Sequence, residues 1–259
     1  MFDCAYLIEI LTPLRSDQEN AKENMDRFAG RYRRIMESGC GVSVPDNPMG
    51  RRRFHALETI EQCGLPIDPQ RMVMNLNTFH TKEQLDAVLD KASEMGARYL
   101  LVIRGDGGPD LPSLDPQRIG GRKSVTTSID LIRYINTAYA DIFVTGAAFN
   151  PYKPIDFETE RLHQKMKAGA KFVITQPVVG KDPNVDGLKN IGIPVVIEAW
   201  MSKNIDLLYK SVGKKRDESA EAYDPVKNLK ALHDAYPQNC VYLSMLSFKA
   251  DWKRILPKL

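Results

Sequence analysis

Four times along this chain a glycine closes a polar, helix-patterned stretch and a β-branched run begins at once. The phrases are Glu37-Ser-Gly-Cys-Gly-Val-Ser-Val44, Glu94-Met-Gly-Ala-Arg-Tyr-Leu-Leu-Val-Ile103, Lys167-Ala-Gly-Ala-Lys-Phe-Val-Ile174 and Asn190-Ile-Gly-Ile-Pro-Val-Val-Ile197. Glycine at such a point supplies the left-handed residue on which helices end. The apolar runs that follow lack polar alternation. They are therefore expected to be buried on both faces, as strands of a parallel sheet are.

Eight runs fit this strand pattern: Tyr6–Leu11, Val42–Val44, Met72–Leu76, Tyr99–Ile103, Ile142–Ala148, Phe172–Thr175, Pro194–Ile197 and Val241–Met245. Helical patterns separate them. Asn20–Met36 carries Met25, Phe28, Tyr32 and Met36 on one face, and Lys82–Met95 carries Leu85, Val88, Leu89 and Ala92 behind a candidate cap, Thr81. Ser128–Tyr139, Phe157–Ala168, Asn204–Ser211, Lys227–Ala235 and Ala250–Ile255 continue the alternation. This rhythm in 259 residues predicts an α/β fold, a single (β/α)8 TIM barrel domain spanning 1–259. A doubly wound open sheet is the alternative, and the absence of G-x-G-x-x-G after the first strand argues against it. The polar run Gly213–Asp224 reads as an exposed loop.

A net charge of +3 is nearly neutral for this length and points to neither nucleic acid nor a membrane surface as partner. The basic run Arg51-Arg52-Arg53 reads as a solvated helix start, with a phosphate site as the alternative. The four cysteines, at 4, 40, 63 and 240, show no CxxC spacing and no histidine in a zinc-like pattern, so free thiols and no metal site are expected. Asp3 and Glu9 interrupt the first apolar stretch, which argues against a signal peptide. No apolar run approaches the roughly 20 residues needed to span a bilayer. These features predict a cytoplasmic protein, and a homo-oligomer is compatible with them.

In such a barrel the active site is built from the C-terminal ends of the strands. Leu100-Leu-Val-Ile-Arg-Gly-Asp-Gly-Gly-Pro-Asp110 ends a buried strand on a fixed cation, Arg104, and a fixed carboxylate, Asp106. Glu9 stands inside the apolar run Tyr-Leu-Ile-Glu-Ile-Leu, where a carboxylate is either paired or poised for proton transfer. Gln176 ends a strand with an amide suited to a heterocycle edge. Other strands end on Thr12, on Asp46 and Asn47, on Asn75 and Asn77, on Asn150, and on Glu198 and Trp200. Lys165 lies on the helix before the sixth strand, within reach of a phosphate, and His163 beside it reads as a surface residue.

Together these residues resemble the methylenetetrahydrofolate reductase family. Ile8-Glu9-Ile-Leu-Thr-Pro-Leu-Arg15 resembles its E-x-x-P-P-R opening, and Val42-Ser-Val44 its second strand. Leu101-Val-Ile-Arg-Gly-Asp106 resembles its A-L-R-G-D signature, and Gly146-Ala-Ala-Phe149 its A-x-Y-P stretch. Lys165-Met-Lys-Ala-Gly-Ala170 with Ile174-Thr-Gln176 resembles K-x-x-A-G-A-x-x-x-I-T-Q. The resemblance runs from about residue 5 to residue 205.

The resemblance implies reduction of 5,10-methylenetetrahydrofolate to the 5-methyl form, with FAD passing a hydride from NAD(P)H to the folate. It implies Glu9 as general acid, Asp106 near flavin and pterin, and Gln176 as a reader of the folate. It places Arg104, Gly105, Ala147 and Lys165 on FAD, with Glu158 replacing a ribose-binding aspartate. The chain departs from the family pattern at Pro45, commonly a threonine, at Asn75, a histidine, at Phe149, a tyrosine, and at Lys153, a histidine. The family's strand-seven L-P is replaced around Trp200-Met201. These departures fall mostly on flavin contacts. Two alternatives keep the pterin site: a flavin-independent reductase, and a tetrahydrofolate-dependent methyltransferase whose partner is a corrinoid protein. A barrel kept only for binding is a third.

Overall fold

In the computed structural model, which describes residues 2–213 and 222–259, eight parallel strands close into a barrel in sequence order. They are β1 (Tyr6–Glu9), β2 (Gly41–Val44), β3 (Met72–Leu76), β4 (Tyr99–Val102), β5 (Val144–Phe149), β6 (Phe172–Thr175), β7 (Val195–Trp200) and β8 (Val241–Ser244). Between and around them lie α1 (Ala21–Glu37), α2 (Ala56–Gln62), α3 (Lys82–Glu94), α4 (Ser128–Ala138), α5 (Ile155–Lys167), α6 (Pro183–Asp186), α7 (Ile205–Val212), α8 (Pro225–Ala235) and α9 (Trp252–Ile255). β8 closes the ring on β1, pairing Leu7 with Tyr242. This is the (β/α)8 barrel the sequence predicts. No helix among the described residues is long and apolar enough to cross a membrane.

The glycines of the four recurring phrases all adopt positive φ: 76° at Gly39, 75° at Gly96, 120° at Gly169 and 83° at Gly192. Each turns the chain from the outer layer into the next strand. Side chains then alternate between two cores. Outward-facing residues such as Ile8, Val42, Met74, Val102 and Phe149 pack under the helices with Tyr32, Leu89 and Ile135. Inward-facing Leu7, Val73, Tyr99, Leu101, Phe172, Ile174, Val196 and Tyr242 fill the barrel. Phe2 plugs the N-terminal end, its ring 4.6 Å from Tyr99 and 5.4 Å from Phe172. A fully buried aliphatic or aromatic side chain contributes about 1.5–3 kcal/mol, so the two layers fix the backbone on which the mouth is built.

Several boundaries move. β7 runs on to Trp200, so Glu198 sits within a strand rather than at its end. β5 covers Val144–Phe149 rather than Ile142–Ala148. α2 was not legible in the pattern: it has seven residues and its N-cap is His55. The Arg51–Arg53 run is not a solvated helix start. Its chain is extended, Arg53 pairs by its backbone with Leu14, and the Arg53 guanidinium is half-buried on the Thr12 carbonyl. Of the expected loop Gly213–Asp224, residues 214–221 lie outside the described residues.

Candidate active site at the barrel mouth

The strand pleat decides which residues face the mouth. From β1 this is Glu9, from β3 Asn75, from β4 Leu101 and Ile103, from β6 Ile174 and Gln176, from β7 Glu198 and Trp200, and from β8 Tyr242 and Ser244. Together with Pro45, Asp46, Gly105 and Asp106 they line a cavity of about 210 Å3. Leu101, Ile103, Ile174 and Trp200 give it apolar walls, and the acids and amides give it a polar floor and rim.

Glu9 is held from β8. The Tyr242 hydroxyl donates to Glu9 Oε2 at 2.7 Å. Burial pushes the Glu9 carboxyl above the usual carboxylate range, against the opposing pull of the Tyr242 hydroxyl, the Arg53 charge and the Met245 backbone N–H. Met245 adopts a φ of 61°, left-handed backbone that a side-chain-bearing residue rarely takes. Glu198, beside Tyr242 in the β7–β8 register, is pushed well above that range by burial and by the nearby Glu9, with the Ser244 hydroxyl opposing. Tyr242 is driven up by burial and by both carboxylates, so its hydroxyl stays a donor. The floor thus carries two carboxyl groups that keep their protons more readily than ordinary ones.

Asp106 is fixed at the rim, where its Oδ2 accepts the Met49 N–H at 2.8 Å. Gly105 makes that placement possible. Its φ is 79°, and a Cβ there would lie 2.6 Å from the Asn77 side chain. The Gln176 backbone N–H donates to the Phe149 carbonyl at 2.7 Å. Asp46, buried beside the rim, accepts from His80 Nε2 at 2.7 Å and from the Asn77 N–H at 3.0 Å. Asn75 Oδ1 is buried with no donor among the described residues.

The structure brings Glu9, Gly105, Asp106 and Gln176 to this cavity, and leaves Arg104, Ala147, Glu158 and Lys165 outside its lining. Arg104 is exposed. Ala147 is buried on the outward face of β5, under the helices. Lys165 is buried, its Nζ donating to the Ala148 carbonyl at 2.6 Å and lying 4.0 Å from Glu158 Oε1. Burial lowers its pKa, with Glu158 opposing. Glu158 in turn accepts the Asn150 N–H at 3.0 Å. His163 is exposed, as read from sequence. The sequence pattern does not mark Tyr242 or Arg53 as site residues, and it marks Glu198 only as a strand end. Its acidic side chain in an apolar strand is the same signal that marks Glu9.

A family model described as methylenetetrahydrofolate reductase matches residues 16–191. That span includes Asp106 and Gln176 and leaves out Glu9, Glu198 and Tyr242. The chain is 34% identical over 135 residues to methylenetetrahydrofolate reductase 1 of Schizosaccharomyces pombe, covering 46% of this chain and 22% of that protein. It is 33% identical over 99 residues to methylenetetrahydrofolate reductase 2 of Saccharomyces cerevisiae, covering 36% of this chain and 16% of that protein. The match thus spans about a fifth of the length of these curated relatives. Among solved structures, the 7,8-dihydropteroate synthase of Vibrio fischeri ES114 aligns with a TM-score of 0.51 at 12% identity, over 94% of this chain and 88% of that one. A 2,3-dimethylmalate lyase aligns with a TM-score of 0.51 at 9% identity, over 93% of this chain and 75% of that one. At such identities these two likenesses bear on the fold alone.

Proposed function

The chain belongs to the methylenetetrahydrofolate reductase family, and on that premise we propose that it reduces 5,10-methylenetetrahydrofolate to 5-methyltetrahydrofolate with hydride drawn from NADH or NADPH. The observation that carries this reading is Glu9: a carboxyl group lining the mouth cavity, held at 2.7 Å by Tyr242, whose hold on its proton is strengthened by burial. Such a group is a general acid. Its proton goes to a nitrogen of the five-membered ring, one C–N bond opens, and the bridge carbon becomes an electrophilic iminium. Hydride at that carbon gives the methyl group, so one proton and one hydride account for the change. The Glu9 carboxylate left behind keeps the Tyr242 hydrogen bond and regains a proton from solvent.

The rest of the cavity suits a pterin. The apolar walls admit a flat bicyclic ring, and Asp106, Gln176 and the unpartnered Asn75 Oδ1 offer acceptors to its N–H groups. Glu198, which burial and the nearby Glu9 incline to keep its proton, adds a donor when protonated.

FAD is the carrier that the family resemblance implies between nicotinamide and folate. Of the residues assigned to it, Gly105 alone lines the cavity. Lys165 and Glu158 are committed to β5 carbonyl and amide groups in the interior, Ala147 faces the helices, and Arg104 lies outside the cavity. No step is assigned to a flavin on these residues. This observation favours, as a second reading on the same pterin site, a flavin-independent reductase or a tetrahydrofolate-dependent methyltransferase acting on a corrinoid protein.

The test is NADH or NADPH oxidation dependent on 5,10-methylenetetrahydrofolate, run with and without added FAD, beside the visible spectrum of the purified protein. Folate-dependent oxidation supports the reductase. A flavin spectrum with FAD-dependent turnover brings the carrier back. Methyl transfer from 5-methyltetrahydrofolate without nicotinamide oxidation favours the methyltransferase. Absence of binding by any tetrahydrofolate derivative overturns both readings.

A further inference from the structure

Beside the mouth, a groove of about 680 Å3 lies between the chain that follows β2, the start of α3 and the loop after β4. The proposed reaction does not use it. Arg15, Arg52, Arg53 and His55 border it, together with Phe79 and Leu111. Arg52 is exposed. Arg15 stacks over the Phe54 ring at 4.5 Å and pairs with Glu58. Asp110 is the acid of the lining and is exposed, and Glu58 answers Arg15, so Arg52 and Arg53 together leave the groove with a net positive charge.

Two buried donors border this groove without an acceptor among the described residues, Arg53 Nε and His55 Nε2. The His55 case is well defined. Its Nδ1 accepts the Leu57 N–H at 3.3 Å, so the neutral ring carries its proton on Nε2. Burial lowers the His55 pKa and keeps the ring neutral. Buried donors are almost always satisfied, so an unsatisfied pair beside a cationic groove calls for an acceptor from outside the chain, a bound water or a ligand atom.

The geometry points to a second ligand site: the groove takes a small organic anion, its phosphate or carboxylate head toward Arg15, Arg52 and His55 and its apolar body against Phe79 and Leu111. The planar fork of a guanidinium group matches two oxygens of either head. His80 also borders the groove and bonds Asp46, which lines the central cavity, so the two sites share a wall.

The chain has four histidines, which makes their ring protons a local reporter. His55 and His80 border the groove, whereas His163 is exposed on α5 and His233 is bonded to Tyr6 at 2.8 Å. Titrating phenyl phosphate into the full chain and following these four resonances tests the site. Saturable shifts of His55 and His80, with His163 and His233 unmoved, are expected. Arg52→Gln, a change at an exposed position, is expected to weaken that binding by about tenfold or more, the loss of one charge-assisted hydrogen bond. Parallel titrations with benzoate and with inorganic phosphate separate the two heads and measure the apolar body. Tighter binding of phenyl phosphate or benzoate than of inorganic phosphate supports the site. No saturable shift of His55 and His80 with either aromatic anion overturns it, as does unchanged affinity in Arg52→Gln. Folate binding in the central cavity is read separately, so failure here leaves the proposed reaction standing.

Discussion

The Tyr242 hydroxyl on β8 donates to Glu9 Oε2 on β1 at 2.7 Å, across the seam where the barrel closes. The bond fixes the rotamer of the acid and stands ready to stabilise the anion it becomes. Tyr242 can do this because burial and two neighbouring carboxylates hold its own proton in place. Glu9, Tyr242 and Glu198 on three neighbouring strands therefore form one proton-holding unit.

Tyr242→Phe separates positioning from packing, since the ring is kept and the hydroxyl removed. The hydroxyl pulls the Glu9 pKa down against burial. Its loss therefore moves the alkaline limb of the rate profile to higher pH. The rate is expected to fall by about tenfold to a hundredfold, the worth of a hydrogen bond to a charged group. A merely structural role for Tyr242 would leave the limb where it was.

Glu198 gives stability a pH dependence of definite sign. Its folded-state pKa is raised, so the native state binds its proton more tightly than the unfolded chain does. The associated stability is complete below about 4.3, the ordinary glutamate value, and is lost as pH rises toward the folded-state value. Urea unfolding across that range should show a decline in the parent protein that is shallower in Glu198→Gln. Equal slopes would mean that Glu198 ionises as an ordinary surface acid does.

Gly105→Ala tests how the rim is built. The new Cβ would require a φ of 79° and would meet Asn77 at 2.6 Å. We expect a stability loss of about 1–3 kcal/mol, the cost of such backbone strain. Asp106, the next residue, moves with the loop, so folate affinity should fall as well. Denaturation together with calorimetric titration of tetrahydrofolate checks both. A protein with unchanged stability would contradict the steric argument.

Much of this architecture is legible in the sequence because its signals are local. A glycine after a helix and an apolar run need no partner to be read; all eight strands show the run, and four of them also show the glycine. Glu9 is legible because a carboxylate in an apolar strand is costly, and Asp106 because glycines surround it. What is not legible depends on contacts distant in sequence. Tyr242 is separated from Glu9 by 233 positions, and a tyrosine in an apolar strand reads as core. Arg53 looks like one of three surface arginines until the Thr12 carbonyl is found against it. Lys165 on its helix reads as a candidate phosphate ligand, and the resemblance alone implies a ligand for Glu158, but that face of α5 packs inward on β5. Helix α2 is hidden because seven residues hold too little periodicity to be seen.

The central claim is that Glu9 supplies the proton. The direct measurement is folate-dependent NADH or NADPH oxidation by Glu9→Gln beside the parent protein, with 5,10-methylenetetrahydrofolate affinity measured on the same preparations. The amide cannot donate the carboxylic proton but fills the same space. Turnover should fall by about 10²–10⁴, the usual contribution of a positioned acid, while affinity stays within about tenfold. Turnover in Glu9→Gln equal to that of the parent protein would contradict the account.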